Sequence, residues 1–148
     1  MSFEIRTHTG LHVIKGAIQK VLGAKWTTSV SVNNNHGRIS VEFDRKPTDS
    51  EIKLIEQYAN DKIKEDVPVE IHHLSRKAAE ERWGDIIYDK FPLSESITEL
   101  SICQIKGWNI NACNKEHASS TGEIGSLRIT KTRFRAKKQL LEVSYDIG

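Results

Sequence analysis

Four side chains with the character of metal ligands stand in two matched pairs, His8 with His12 and Cys113 with His117. Each pair is spaced by four residues, which on a helix puts both side chains on one face, Cβ atoms about 5–6 Å apart. Two imidazoles so placed reach one zinc ion through Zn–N bonds of about 2.0–2.1 Å. A thiolate and a third imidazole then complete a tetrahedral set. A single ion would tie the first helix to a segment about a hundred residues away. Together the pairs take three of the six histidines and one of the two cysteines. Glu116 lies inside the second pair and is a candidate general base.

Elements must carry these residues. Residues 7–23 read as a helix, with Thr7 as N-cap and Gly23 as the terminating glycine. Leu11, Ile14, Ile18, Val21 and Leu22 form its apolar stripe, and His8 and His12 fall at the stripe's edge. His8 is expected in the first turn, where the helix dipole favours the neutral imidazole that a metal requires. Residues 26–32 and 38–43 alternate polar and apolar and form a hairpin across 33–37, with His36 as a turn residue.

Thr48 to Glu51 is a capping box that opens a helix ending near Asp66, with Ile52, Ile55, Ala59 and Ile63 on one face. Residues 69–73 read as a short strand, whose alternation keeps His72 and His73 from sharing a metal. A short polar helix over 75–83 stops at Gly84, and 86–92 is ambiguous. Strands over 97–105 and 108–112 break at Gly107, and the second delivers Cys113 at its end. Residues 126–135 and 140–147 form a last hairpin around Lys137 and Lys138. Cys103, Trp26, Trp83 and Trp108 read as core.

This mixed order favours one α+β domain over 1–148, an antiparallel-rich sheet with helices packed on one side. With 148 residues and 37% apolar content the chain can bury a substantial core. Two cysteines give no disulfide framework, which points to a reducing cytoplasm. No apolar run nears the roughly 20 residues that span a membrane, and the start lacks a signal-peptide pattern, so no membrane partner is expected. A net charge of +2 announces no nucleic-acid binder, but its distribution is uneven. Arg128, Lys131, Arg133, Arg135, Lys137 and Lys138 crowd the last hairpin. Lys131, Arg133 and Arg135 share one strand face, a strip suited to phosphates.

Taken together, His8-Thr9-Gly10-Leu11-His12, Cys113-Asn114-Lys115-Glu116-His117 and Thr121-Gly122-Glu123-Ile124-Gly125 carry a resemblance. With residues 38–44, 67–69 and 107–113 in the same order, they resemble the editing domain of alanyl-tRNA synthetases over nearly the whole chain. More closely still, the chain is similar to the short form of AlaX, the free-standing trans-editing group. The editing domain of threonyl-tRNA synthetases is a further relative of that group. The resemblance implies an editing-domain-like α+β fold and a zinc ion held by His8, His12, Cys113 and His117. It also implies hydrolysis in trans of the ester joining a wrong amino acid, chiefly serine and secondarily glycine, to alanine tRNA. The implied partner is mischarged tRNA(Ala), met by a monomer or weak homodimer. One departure stands out: Asn114-Lys115 replaces the two glycines usual after the motif cysteine in synthetase editing domains.

Zinc lowers the pKa of a bound water from 15.7 to about 7, yet four protein ligands are the mark of a closed structural site. Selectivity for serine needs a hydroxyl partner, and Thr27 or Thr28 is expected to supply it. A site built to hydrogen-bond a hydroxyl rejects the analogue lacking it by about 10⁴–10⁵. Thr121, Gly122 and Gly125 would let backbone N–H groups approach an anion or a ribose, with Glu123 as a second candidate base. Two other readings stand beside this one: a zinc-stapled RNA-binding module without catalysis, and editing of threonine tRNA.

Overall fold

The computed structural model of the protein describes residues 2–91 and 93–148. Helix α1 (Phe3–Leu22) opens it, capped by the Ser2 hydroxyl, which accepts a hydrogen bond from Ile5 N at 3.3 Å. Thr7 is therefore not the cap. Its hydroxyl donates instead to Asn34 O at 2.7 Å, and its carbonyl accepts the Tyr145 hydroxyl, also at 2.7 Å. The far end is as expected: Gly23 closes the helix in the left-handed region at φ 71°.

Strands β1 (Thr27–Asn33) and β2 (His36–Glu42) pair antiparallel around a turn tighter than the sequence led one to expect. Asn34 takes φ 55° there, so the pairing runs to Asn33 and His36. His36 belongs to the strand, where its Nδ1 meets Asp146 Oδ1 at 2.7 Å. Helix α2 (Asp49–Glu65) follows a complete Thr48–Glu51 capping box, and Asp66 ends it at φ 50°. Next come β3 (Glu70–Ser75) and α3 (Arg76–Trp83), followed by a 3₁₀ turn over Gly84–Ile87. That turn takes up the start of the ambiguous stretch 86–92, whose last residue, Pro92, lies outside the described residues. β4 (Glu99–Ile105) and β5 (Asn109–Ala112) hinge at Gly107, φ 69°. A second 3₁₀ turn (Thr121–Ile124) precedes the hairpin of β6 (Leu127–Arg135) and β7 (Leu140–Ile147).

The α+β class with antiparallel sheet is what forms, with its strands divided between two sheets. One has the order β1-β2-β7-β6 and the other β3-β4-β5, all pairs antiparallel. Alternation on β7 explains the first: Leu141, Val143, Tyr145 and Ile147 are buried, while their neighbours face outward. Helix α1 lies against both sheets and α2, setting Val13, Ile14, Ala17 and Ile18 beside Ile39, Ile55 and Val143 in the main core. Cys103, 1% exposed, is part of that core, its thiol pushed up to about 12 by burial. Trp108 packs on its rim and donates Nε1–H to Val13 O at 2.9 Å. Trp26 and Trp83 are half-buried, Trp83 at the edge of a smaller cluster around Ile87, Leu100 and Ile102.

Between β5 and the second 3₁₀ turn, residues 113–120 form a loop that α1 holds in place. The buried Thr9 hydroxyl donates to Ile5 O at 2.8 Å and accepts Ala118 N–H at 2.9 Å. Thr9→Val leaves that buried N–H without a partner. Such an orphan costs about 1–3 kcal/mol, so the variant's chemical-denaturation midpoint should fall accordingly; an unchanged midpoint contradicts the assignment.

Candidate metal centre and adjoining cavities

On α1, His8, Leu11, His12 and Lys15 follow one another at helical spacing and share a face. On β5 and its continuation, Asn109, Asn111 and Cys113 share a face by period two, and Asn109 and Asn111 are buried. These two polar faces meet. Cys113 N–H donates to Ser101 O at 2.9 Å, which extends the β4 pairing and fixes the thiol at the strand's end. His117 arrives on the loop that Thr9 anchors.

The result is a compact group: the ligand atoms of His8, His12, Cys113 and His117 all lie within 4.8 Å of one another. His8 Nε2 is 3.1 Å from Cys113 Sγ, and His12 Nε2 is 3.0 Å from His117 Nε2. A tetrahedron with the usual Zn–N and Zn–S lengths has edges of about 3.3–3.7 Å, so the set needs only small adjustments to close on one ion. The donor chemistry fits zinc as well, since three imidazoles and a thiolate are ligands that it takes readily.

Electrostatics favour the ligating forms of the histidines. Burial pushes His8 down to about 4, with His117 and Lys115 adding to the shift. Burial is also the main reason that His12 lies well below its ordinary value, assisted by His117, His8 and Lys15 and opposed by Asn109. His117 is lowered by burial, against the opposing pull of the Lys115 carbonyl. His8 lies in the second turn of α1, so desolvation and not the helix dipole keeps it neutral. The Cys113 thiol is raised, first by burial and further by Asp89, while Lys115 and Lys15 oppose the shift. Binding of a metal would therefore release the thiol proton.

Asn109 supplies the outer support. Its Oδ1 lies 3.3 Å from His12 Nδ1, so Nδ1 carries the proton and the Nε2 lone pair faces the other ligands. His117 has no such support, because its buried Nδ1 has no hydrogen-bond partner among the described residues.

Two cavities adjoin the group. The inner one, about 80 Å³, is lined by His8, His12 and Cys113 together with Lys15, Thr27 and Asp89. Thr27 is 2% exposed, and its hydroxyl has no hydrogen-bond partner among the described residues. Thr28 is not on this wall, and its hydroxyl donates to Ser40 O at 3.2 Å. The outer cavity, about 390 Å³, shares His8, Leu11 and Val30 with the inner one and adds Lys115 and Glu116 at its rim.

The other sequence candidates have different surroundings. Glu123 accepts Ser119 N–H at 2.9 Å and the Ser119 hydroxyl at 3.1 Å, so its carboxylate ties the loop together. Thr121 is fully buried, donating to Lys62 O at 2.8 Å and accepting Val67 N–H at 3.0 Å. Gly122 N–H donates to Asp66 Oδ1 at 2.9 Å, and a Cβ at Gly122 would collide with that side chain. Gly125 takes φ 89° beside Arg6. The TGEIG segment therefore acts as a joint between α2, α1 and the loop, and its backbone donors are already engaged. His72 and His73 bond Gln104 and Ser101 and stay outside the group.

Lys131, Arg133 and Arg135 line one shallow cleft with Arg38 from β2, on the sheet face turned away from α1. Arg135 is held by Glu142 at 3.1 Å; Lys137 and Lys138 are exposed in the turn. Lys15, Asp89, Asn109 and Asn111 were missed in the sequence. Helical spacing from His8 and His12 would have found Lys15, and period two back from Cys113 would have found both asparagines. Asp89 follows an irregular segment and gave no signal.

The fold and site thus define an α+β protein with a three-histidine, one-cysteine group fit for a metal. No family model matches the chain. It is 35% identical over 148 residues to the alanine–tRNA ligase of Methanopyrus kandleri, covering 93% of this chain and 16% of the ligase. The alanine–tRNA ligase of Saccharolobus islandicus is 35% identical over 146 residues, 97% of this chain and 16% of its own. That of Ignicoccus hospitalis is 36% identical over 131 residues, 87% and 14% respectively. The chain is a relative of the alanyl-tRNA synthetases across nearly all of its own length, and spans about a sixth of theirs.

Removing the support of a metal-ligating histidine typically costs 10–100-fold in metal affinity. Asn109→Ala should weaken zinc binding by about that factor in a competition titration against a chromophoric chelator. Unchanged affinity would remove Asn109 from the centre.

Proposed function

We propose that the protein hydrolyses the ester of mischarged tRNA(Ala), releasing serine and secondarily glycine, as a zinc-dependent proofreading factor acting in trans in the cytoplasm. The observation that carries this reading is the neutral His8–His12–Cys113–His117 group opening onto a small inner cavity and a larger outer one. Homology to alanine–tRNA ligases supports a tRNA-borne substrate. His8, His12, Cys113 and His117 would hold the ion. Bound there, zinc would supply Lewis-acid polarisation and acidification of water.

The chain's own residues do the rest. The inner cavity takes the amino acid and excludes larger side chains by its volume of about 80 Å³. Thr27 offers its unpartnered hydroxyl to the serine hydroxyl, a pairing that an alanyl ester cannot make. The outer cavity takes the terminal nucleoside against Ile5, Leu11, Val30 and Val32, with Lys115 at the rim for a phosphate. Glu116, exposed on that rim, accepts a proton from the attacking water on its carboxylate. Glu123 holds the loop that carries His117 and takes no proton. Lys131, Arg133, Arg135, Lys137 and Lys138 meet tRNA phosphates away from the reaction, an attraction that weakens with salt. His117, whose buried Nδ1 has no hydrogen-bond partner among the described residues and which sits on a loop, is the ligand most easily displaced.

Zinc-loaded protein should release serine from seryl-tRNA(Ala), and a chelator should stop the release while circular dichroism still reports a folded chain. No release from the zinc-loaded protein, with chelation unfolding the chain, would instead support a zinc-stapled RNA-binding module. Release from mischarged threonine tRNA alone would redirect the activity to that tRNA.

Thr27→Val should lower serine release about tenfold, the order of one lost hydrogen bond, with zinc content unchanged. Undiminished serine release would exclude Thr27 from selection.

A further inference from the structure

Three residues of the inner cavity have no task in the reading above: Lys15, Asp89 and Asn111. Lys15 is 6% exposed in the middle of α1, a place where an ammonium is tolerated only when paired. Its Nζ donates to Asp89 Oδ1 at 2.9 Å and to Asn111 Oδ1. Asn111 is itself fixed, its Nδ2 donating to Ala112 O at 2.9 Å. Asp89 differs from its two partners in being open, its side chain 42% exposed. The backbone beside it is clamped to β1, with Lys90 N–H donating to Thr27 O at 2.9 Å.

A carboxylate offers about four acceptor positions over two oxygens. Lys15 occupies Oδ1, and Oδ2 has no hydrogen bond among the described residues. The same wall carries the unpartnered, 2% exposed hydroxyl of Thr27. As a device for stability this pair is poor, because burying an ammonium offsets most of what its ion pair contributes. As a recognition group it is well made: one carboxylate oxygen is anchored by Lys15, the other has no partner among the described residues, and Asp89 lines the same cavity of about 80 Å³ as Thr27.

We propose that Asp89 is the receptor for the α-ammonium of the aminoacyl group, with Lys15 and Asn111 as the residues that position it. The assignment rests on the ester-hydrolase reading of the adjoining metal centre. It makes the cavity selective at two points, Asp89 for the ammonium and Thr27 for the side-chain hydroxyl. It also gives the cavity a reason to prefer an aminoacyl ester over a plain acyl ester.

The test uses two non-hydrolysable ligands, 3′-(L-serylamino)-3′-deoxyadenosine and the 3-hydroxypropanoylamino analogue, which lacks only the amino group. Their affinities for the zinc-loaded protein are measured by titration calorimetry. The wild-type protein should favour the seryl ligand by about 10–100-fold, the scale of one hydrogen bond to a charged group. Asp89→Asn and Lys15→Met should each shrink that preference to within about threefold. Equal affinity of the wild type for both ligands overturns the proposal, as does failure to bind the seryl ligand. Equal weakening of both ligands by D89N assigns Asp89 a purely structural role and overturns it too. If the preference is present and D89N removes it while seryl-tRNA(Ala) is not hydrolysed, the ammonium site stands and the hydrolase reading falls.

Discussion

Two polar surfaces are pressed together where an ordinary small domain would put leucines. One is the α1 face with His8, His12 and Lys15; the other is the β5 face with Asn109, Asn111 and Cys113. Polar groups removed from water must find partners or destabilise the fold. Here most of them partner one another across the seam: His12 with Asn109, His8 with Cys113, Lys15 with Asn111 and Asp89. Two groups, the Thr27 hydroxyl and His117 Nδ1, are buried without partners among the described residues. They mark where the seam is built for something other than its own cohesion.

The same burial sets the charge state. Removed from water, the three histidines are held neutral, and neutral imidazole is the form that gives its lone pair to a metal. The apolar frame around the seam is held by its own side-chain packing. Ile14 and Ile18 of α1 and Leu141 and Val143 of β7 join a core continuous with Ile55 and Ile63 of α2. Thr9 and Thr121 then fasten the 113–120 loop to that frame through hydroxyls that are both fully buried. An ion would be a second fastening between parts already in register.

Much of this was legible in the sequence because the signals are periodic. The HxxxH and CxxxH spacings found the four side chains that the fold brings together, alternation found both hairpins, and the Thr48 capping box found α2. What was missed depends on contacts between distant segments. The α1 start was misplaced because Thr7 has the makings of a cap, yet its hydroxyl is taken by Asn34 and its carbonyl by Tyr145. TGEIG looked like a ligand-binding turn because of its glycines. Gly122 is required instead because Asp66 lies where its Cβ would be. The division into two sheets follows from which strands pair across long stretches of chain, and a strand's own residues do not encode that.

The central claim is that four side chains from both halves of the chain take hold of one metal ion. Zinc-edge X-ray absorption on the purified protein tests it most directly. The account predicts one equivalent of zinc, with three nitrogen neighbours near 2.0–2.1 Å and one sulfur near 2.3 Å. Protein that takes up no zinc, or zinc with only light oxygen and nitrogen neighbours and no sulfur, would contradict it.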